Sequence, residues 1–150
     1  MHEWLANYGF LSLFFLSFLA STLIPLGSEW LVVTMLLSRS DPFAVVAVAT
    51  CGNYLGALTT YLIGLYGADF LKTRLLRMDP KTTQKAERLY ERFGSYSLLL
   101  SWLPVVGDPL CLVGGVLRVR FIRFSLLVAT GKLARYAAVA WVTLKGAAAI

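Results

Sequence analysis

Long apolar stretches, interrupted at a few defined points, organise this chain. Between Glu3 and Arg39 the only charge is Glu29. About 35 residues of helix would run over 50 Å at 1.5 Å per residue, too long for one crossing of a ~30 Å hydrocarbon core. The break at Pro25-Leu26-Gly27 divides this run into arms of roughly 17 and 10 residues, and the second arm, Glu29 to Leu37, is too short to span. The pattern predicts a re-entrant hairpin that enters and leaves on one face. Pro42 to Ala68 carries no charge and is the clearest spanning helix. Its small residues Gly52, Gly56, Thr60, Gly64 and Ala68 recur every fourth position, the spacing that lets another membrane helix approach closely.

The chain then turns polar. Asp79-Pro80 reads as an N-cap followed by proline at the first helical position. Ala86, Leu89, Tyr90 and Phe93 follow at i, i+3, i+4 and i+7, opposite Lys85, Arg88 and Arg92. One apolar stripe against a basic face predicts an amphipathic helix over about 79–93 that lies on the membrane surface. A second apolar run, Phe93 to Leu117, contains only the charge of Asp108. Breaks at Pro104 and at Gly107-Asp108-Pro109 leave short arms, again the mark of a hairpin. A last apolar helix, Phe124 to Leu144, holds Lys132 and Arg135 within it.

The two broken segments are nearly alike. Leu23-Ile24-Pro25-Leu26-Gly27-Ser28-Glu29 and Leu103-Pro104-Val105-Val106-Gly107-Asp108-Pro109 each combine proline, glycine and a carboxylate inside an apolar run. Interrupted segments at matching positions of two halves point to a transporter-like site built from broken helices. The expected fold is therefore an all-α integral membrane protein. It has two re-entrant helical hairpins in inverted-topology repeat, each followed by a transmembrane helix, with the surface helix between. It forms one domain, 1–150, with halves of about 1–71 and 93–150. One face then receives Arg39 and Lys145. The other receives Lys72, Arg74, Arg77, Lys81, Lys85, Arg88, Arg92, Arg118, Arg120 and Arg123. The positive-inside rule assigns the richer face, with the surface helix and the Arg118–Arg123 loop, to the cytoplasm.

Composition agrees. Hydrophobic residues make up 58% and charged residues 15% of the 150 residues, and mean hydropathy is +0.70. Soluble domains average roughly 45–50% and 25%. The N-terminus lacks a basic n-region and a small-residue cleavage site, so no cleaved signal peptide is expected. The net charge of +6 marks anionic lipid rather than nucleic acid as the partner. Cys51 and Cys111 sit in apolar segments and read as buried free thiols rather than a disulfide or metal pair. A single histidine, His2, leaves no metal site and no partner for Ser28 or Ser101, so no catalytic residue, metal or cofactor is expected and the chain reads as a non-enzyme.

Glu29, Asp108, Lys132 and Arg135 are the ionisable residues inside apolar segments, two of each sign. A charge at the bilayer centre costs at least ~2.5–3.5 kcal/mol, so such groups pair or face water, and one shared cavity is the economical arrangement. Two readings stand. Ser28 with Glu29, and Asp108 with Pro109, can cap helices while Lys132 and Arg135 act as counter-ions for folding. Alternatively the cations and half-helix N-termini attract a phosphate or carboxylate head group while the carboxylates take up protons.

These motifs resemble a known family. The Pro-x-Gly-x-Glu hairpin, the glycine-spaced helix and Arg92-Phe93-Gly94 look like the DedA family of bacterial membrane proteins. Leu98 to Asp108, Gly114-Gly115 and Arg123-Phe124 extend the likeness over nearly the whole chain. That family shares its VTT domain with SNARE-associated Golgi-type lipid scramblases. The resemblance implies paired re-entrant hairpins in the bacterial inner membrane and translocation of polyprenyl phosphate or phospholipid, with proton coupling. Glu29 matches the acidic residue of the family's first hairpin and Asp41 a second acidic position. Trp102 and Asp108 stand where the family usually has arginines around the second hairpin, which resembles the short YqaA-like branch. Lys132 and Arg135 are the cations that can take over. The candidate binding residues are thus Glu29, Asp108, Lys132, Arg135, Ser28 and Trp102, with Gly52, Gly56 and Gly64 for helix packing. A non-transporting membrane organiser or partner-docking protein is the alternative function. The glycine stripe can meet the last helix or a second copy, which leaves a homodimer open.

Overall fold

The computed structural model describes residues 2–21, 28–38, 40–67, 80–103 and 106–148. Every regular element among them is helical: α1 (His2–Ala20), α2 (Glu29–Leu37), α3 (Pro42–Tyr66), α4 (Pro80–Phe93), a 3-10 helix (Gly94–Trp102), α5 (Gly107–Val116) and α6 (Phe121–Ala148). The expected breaks at Pro25-Leu26-Gly27 and Pro104, the Asp79 cap, Ala68, Arg39, Lys72, Arg74 and Arg77 lie outside the described residues, as does the Ala86 side chain.

Local chemistry sets the element boundaries. Asp41 caps α3, its carboxylate accepting from the backbone N–H groups of Phe43 and Ala44 at 3.3 Å, and Pro42 follows at the first helical position. α4 stops where Gly94 takes φ +58°, a left-handed conformation that glycine adopts without cost. α5 ends in a Schellman motif: Val119 N–H reaches Gly114 O and Arg118 N–H reaches Gly115 O, both at 3.0 Å. Here an arginine, Arg118 at φ +53°, occupies the left-handed position usual for glycine. Asp108 does not cap α5. That helix starts one residue earlier at Gly107, after Val106, and Asp108 lies in its first turn.

The chain packs as two compact units, residues 1–56 with 132–150, and residues 57–131. In the first, α1 and α2 pack against each other, with Gly9 against Met35. Leu13, Val32, Met35, Leu36, Val45, Ala49, Tyr136 and Ala140 form the apolar core. The glycines of α3 decide how closely α1 can lie. A Cβ added at Gly52 would sit 2.5 Å from Phe14 O, and one at Gly56 2.5 Å from Phe18 O. The partner of this part of the stripe is α1, not the last helix.

In the second unit the 3-10 helix and α5 pair antiparallel, Leu98 facing Gly114 and the end of the 3-10 segment closing on Gly107. The sequence pattern leads one to expect an α-helical arm there. As a 3-10 helix, nine residues reach about 18 Å instead of about 13.5 Å. Gly64 of α3 meets Leu112 O and Gly115 of α5, so here too a side chain would strike backbone. Tyr61 stacks on Phe124 with centroids 4.1 Å apart and donates to Val119 O at 2.5 Å. α4 turns Tyr90 inward, its hydroxyl donating to Leu110 O at 3.1 Å, while Lys85, Arg88 and Arg92 face out. Burial pushes the Tyr90 phenol well above its ordinary range, so it stays a donor.

Large apolar side chains cover much of the exterior. Phe43 is 87% exposed, Ile122 72% and Leu126 65%. A surface this apolar suits hydrocarbon. α3 is long and apolar enough to cross a membrane. α6, of 28 residues, would reach about 42 Å, but Arg123, Lys132, Arg135 and Lys145 punctuate it.

Alanine at Gly52 or Gly64 should therefore force helices apart, costing about 1–3 kcal/mol each. Gly146→Ala, where an added Cβ meets nothing within 4 Å, should be neutral or stabilise slightly. Apparent Tm in detergent micelles reads the difference.

Candidate functional site

The first unit gathers its polar side chains around α6. Lys132, only 3% exposed, donates to Ser21 Oγ, directly after α1, at 3.2 Å and to Asn53 Oδ1 of α3. Asn53 Nδ2 in turn donates to Ser17 O at 3.1 Å. These bonds need α1 and α3 in close contact, and Gly52 and Gly56 provide it. The ammonium therefore rests on oriented dipoles from two helices, as a buried cation requires.

One turn along α6, Arg135 forms an ion pair with Glu29 of α2, with side-chain exposures of 25% and 30%. Glu29 lies in the first turn of α2, where the helix dipole also favours a carboxylate. Ser28 occupies the N-cap of α2, yet it makes no side-chain cap bond. Its hydroxyl is instead 2.6 Å from the Tyr136 hydroxyl. α2 is thus tied to α6 at two successive residues. Ser17 Oγ, fully buried one turn before Ser21, has no hydrogen-bond partner among the described residues.

Of the residues singled out from the sequence, the structure brings Glu29, Arg135, Ser28 and Lys132 into this cluster. Asp108 and Trp102 belong to the second unit: Asp108 is half-buried in the first turn of α5, and Trp102, at the end of the 3-10 helix, is 41% exposed. The cluster's three charges, Glu29, Lys132 and Arg135, sum to +1. Asn53, Tyr136, Ser21 and Ser17 escaped the sequence reading. Asn53, a polar amide in an uncharged apolar helix, and Tyr136, directly after Arg135, carried a usable signal. The two serines did not, since a lone hydroxyl is common in membrane helices.

Removing the Tyr136 hydroxyl leaves Ser28 buried without its partner, so Tyr136→Phe should cost about 1–3 kcal/mol. Combined with Ser28→Ala the effects should be non-additive by about 1 kcal/mol, measured as a double-mutant cycle on thermal stability.

The VTT domain family model matches residues 24–144. The chain is 43% identical over 136 residues to the inner membrane protein YqaA of Escherichia coli (strain K12), covering 90% of this chain and 91% of that one. YqaA of Shigella flexneri gives the same figures. A protein of Haemophilus influenzae is 39% identical over 145 residues, covering 90% of this chain and 87% of its own. No solved structure matches.

Proposed function

We propose that this chain, which belongs to the VTT-domain (DedA) family and resides in the bacterial inner membrane, translocates a lipid or lipid carrier with a phosphate head group. Polyprenyl phosphate and phospholipid are the cargo classes. The observation that carries the reading is the Glu29–Arg135 pair with Lys132 one turn away. Two cations and one carboxylate give a site of net charge +1 among apolar helices, where an anionic head group gains most and water screens least.

The chemistry follows from competition. A phosphate that reaches Arg135 displaces Glu29, because guanidinium binds either oxyanion in the same forked geometry. The displaced carboxylate, short of its cation in apolar surroundings, takes up a proton. Release of the phosphate restores the ion pair and frees the proton. Exchange of one anion for the other thereby couples cargo to protons with Lys132 held fixed by Asn53 and Ser21.

The topology belongs to the same proposal. Each hairpin is re-entrant and each half runs hairpin then long helix, the order an inverted repeat needs. A nine-residue 3-10 arm of about 18 Å reaches the middle of a ~30 Å core, where the same residues as α-helix fall short. The basic α4 and the Arg118–Arg123 loop face the cytoplasm.

Purified protein in vesicles should move labelled phospholipid or polyprenyl phosphate between leaflets faster than protein-free vesicles do. Glu29→Gln should slow that movement by about tenfold or more. Vesicles in which neither lipid moves would replace transport with a membrane-organising role.

A further inference from the structure

The second unit contains a cavity of about 670 Å³ between the end of α4, the start of the 3-10 helix, the end of α5 and the start of α6. Val113, Val116, Leu117 and Val119 form its apolar wall. Three charges also line it, Glu91, Arg120 and Arg123, and none of the three is engaged in an ion pair among the described residues. Opposite charges that share a cavity without meeting leave room for a ligand that bears both signs.

We propose that this cavity holds the head group of an aminophospholipid, its phosphate on Arg120 and Arg123 and its primary ammonium on Glu91. The volume lies within the 300–1,000 Å³ usual for small-molecule sites and is far larger than a phosphate ion needs. The valine and leucine wall accepts the glycerol and first acyl carbons. Phe93, Tyr96, Phe121 and Ile122, next in the chain to lining residues, are all exposed, as interfacial side chains around a lipid are.

The surrounding backbone favours the site. Gly94, which lines it, turns the chain at φ +58° with open space where a Cβ would stand. The loop that carries Arg120 contains Arg118 in the left-handed region, a conformation an arginine holds only at a cost. This assignment goes beyond translocation and uses none of the residues of the Glu29–Arg135 cluster.

Native mass spectrometry of the purified protein, exchanged into equal mixtures of phosphatidylethanolamine, phosphatidylcholine and phosphatidylglycerol, tests it without any transport readout. Wild type should retain phosphatidylethanolamine about tenfold over the other two. Glu91→Gln should abolish that preference over phosphatidylglycerol. Arg120→Gln with Arg123→Gln should abolish selective retention altogether. Each preference is a ratio within one sample, so a partly unfolded variant still reports. Equal retention of all three lipids by wild type, or unaltered selectivity in both variants, overturns the proposal. So does complete displacement by inorganic phosphate at equal concentration, which would make the site one for a free phosphate.

Discussion

A lysine ammonium cannot sit inside an apolar helix bundle unless dipoles reach it, and much of the first unit follows from satisfying Lys132. Its partners come from α1 and α3, so those helices must touch. They touch because α3 presents Gly52 and Gly56 where a single methyl group would strike the α1 backbone. α6 then extends the same polar strip by one turn. Arg135 and Tyr136 take Glu29 and Ser28, which adds an ion pair and a hydrogen bond to the core contacts of Val32, Met35 and Leu36 that hold the short α2. Small residues, buried cation and ion pair are one construction: remove the close approach and Lys132 loses its ligands.

The second unit meets a different constraint with similar means. Gly64 and Gly115 let α3 and α5 cross at backbone distance, and Tyr61 ties the end of α5 to Phe124 of α6 by stacking and a hydrogen bond. Glu91, Arg120 and Arg123 line a cavity there without an ion pair among the described residues, and beside it the chain holds Arg118 in a conformation suited to glycine. One unit holds Glu29, Lys132 and Arg135 in bonds among its own helices. The other leaves Glu91, Arg120 and Arg123 exposed around a cavity.

Much of this was legible in the chain because apolar periodicity and charge placement are local signals. The helical class, the bounds of α2, the extent of α4 and the pairing-prone stripe on α3 all follow from spacing. The 3-10 form of Gly94–Trp102 was not legible, since its apolar run satisfies either helix period. Nor did spacing reveal that Ser28 would abandon the cap for Tyr136, a residue 108 positions away. Asp108 shows the same limit: Asp-Pro suggests a cap, yet the tight return onto Ser101 starts the helix at Gly107 instead. Partners supplied by remote helices decide such cases.

The most direct test of the account is an exchange of the ion pair, Glu29→Arg with Arg135→Glu, assayed for lipid transport in vesicles with apparent Tm as a control. The exchange keeps one cation and one anion between α2 and α6 but moves the cation away from Lys132. If head-group capture needs both cations on α6, the double variant should fold with near-native Tm and transport at least about tenfold more slowly. Native transport rates in that variant would show the pair to be a structural clasp and contradict the account.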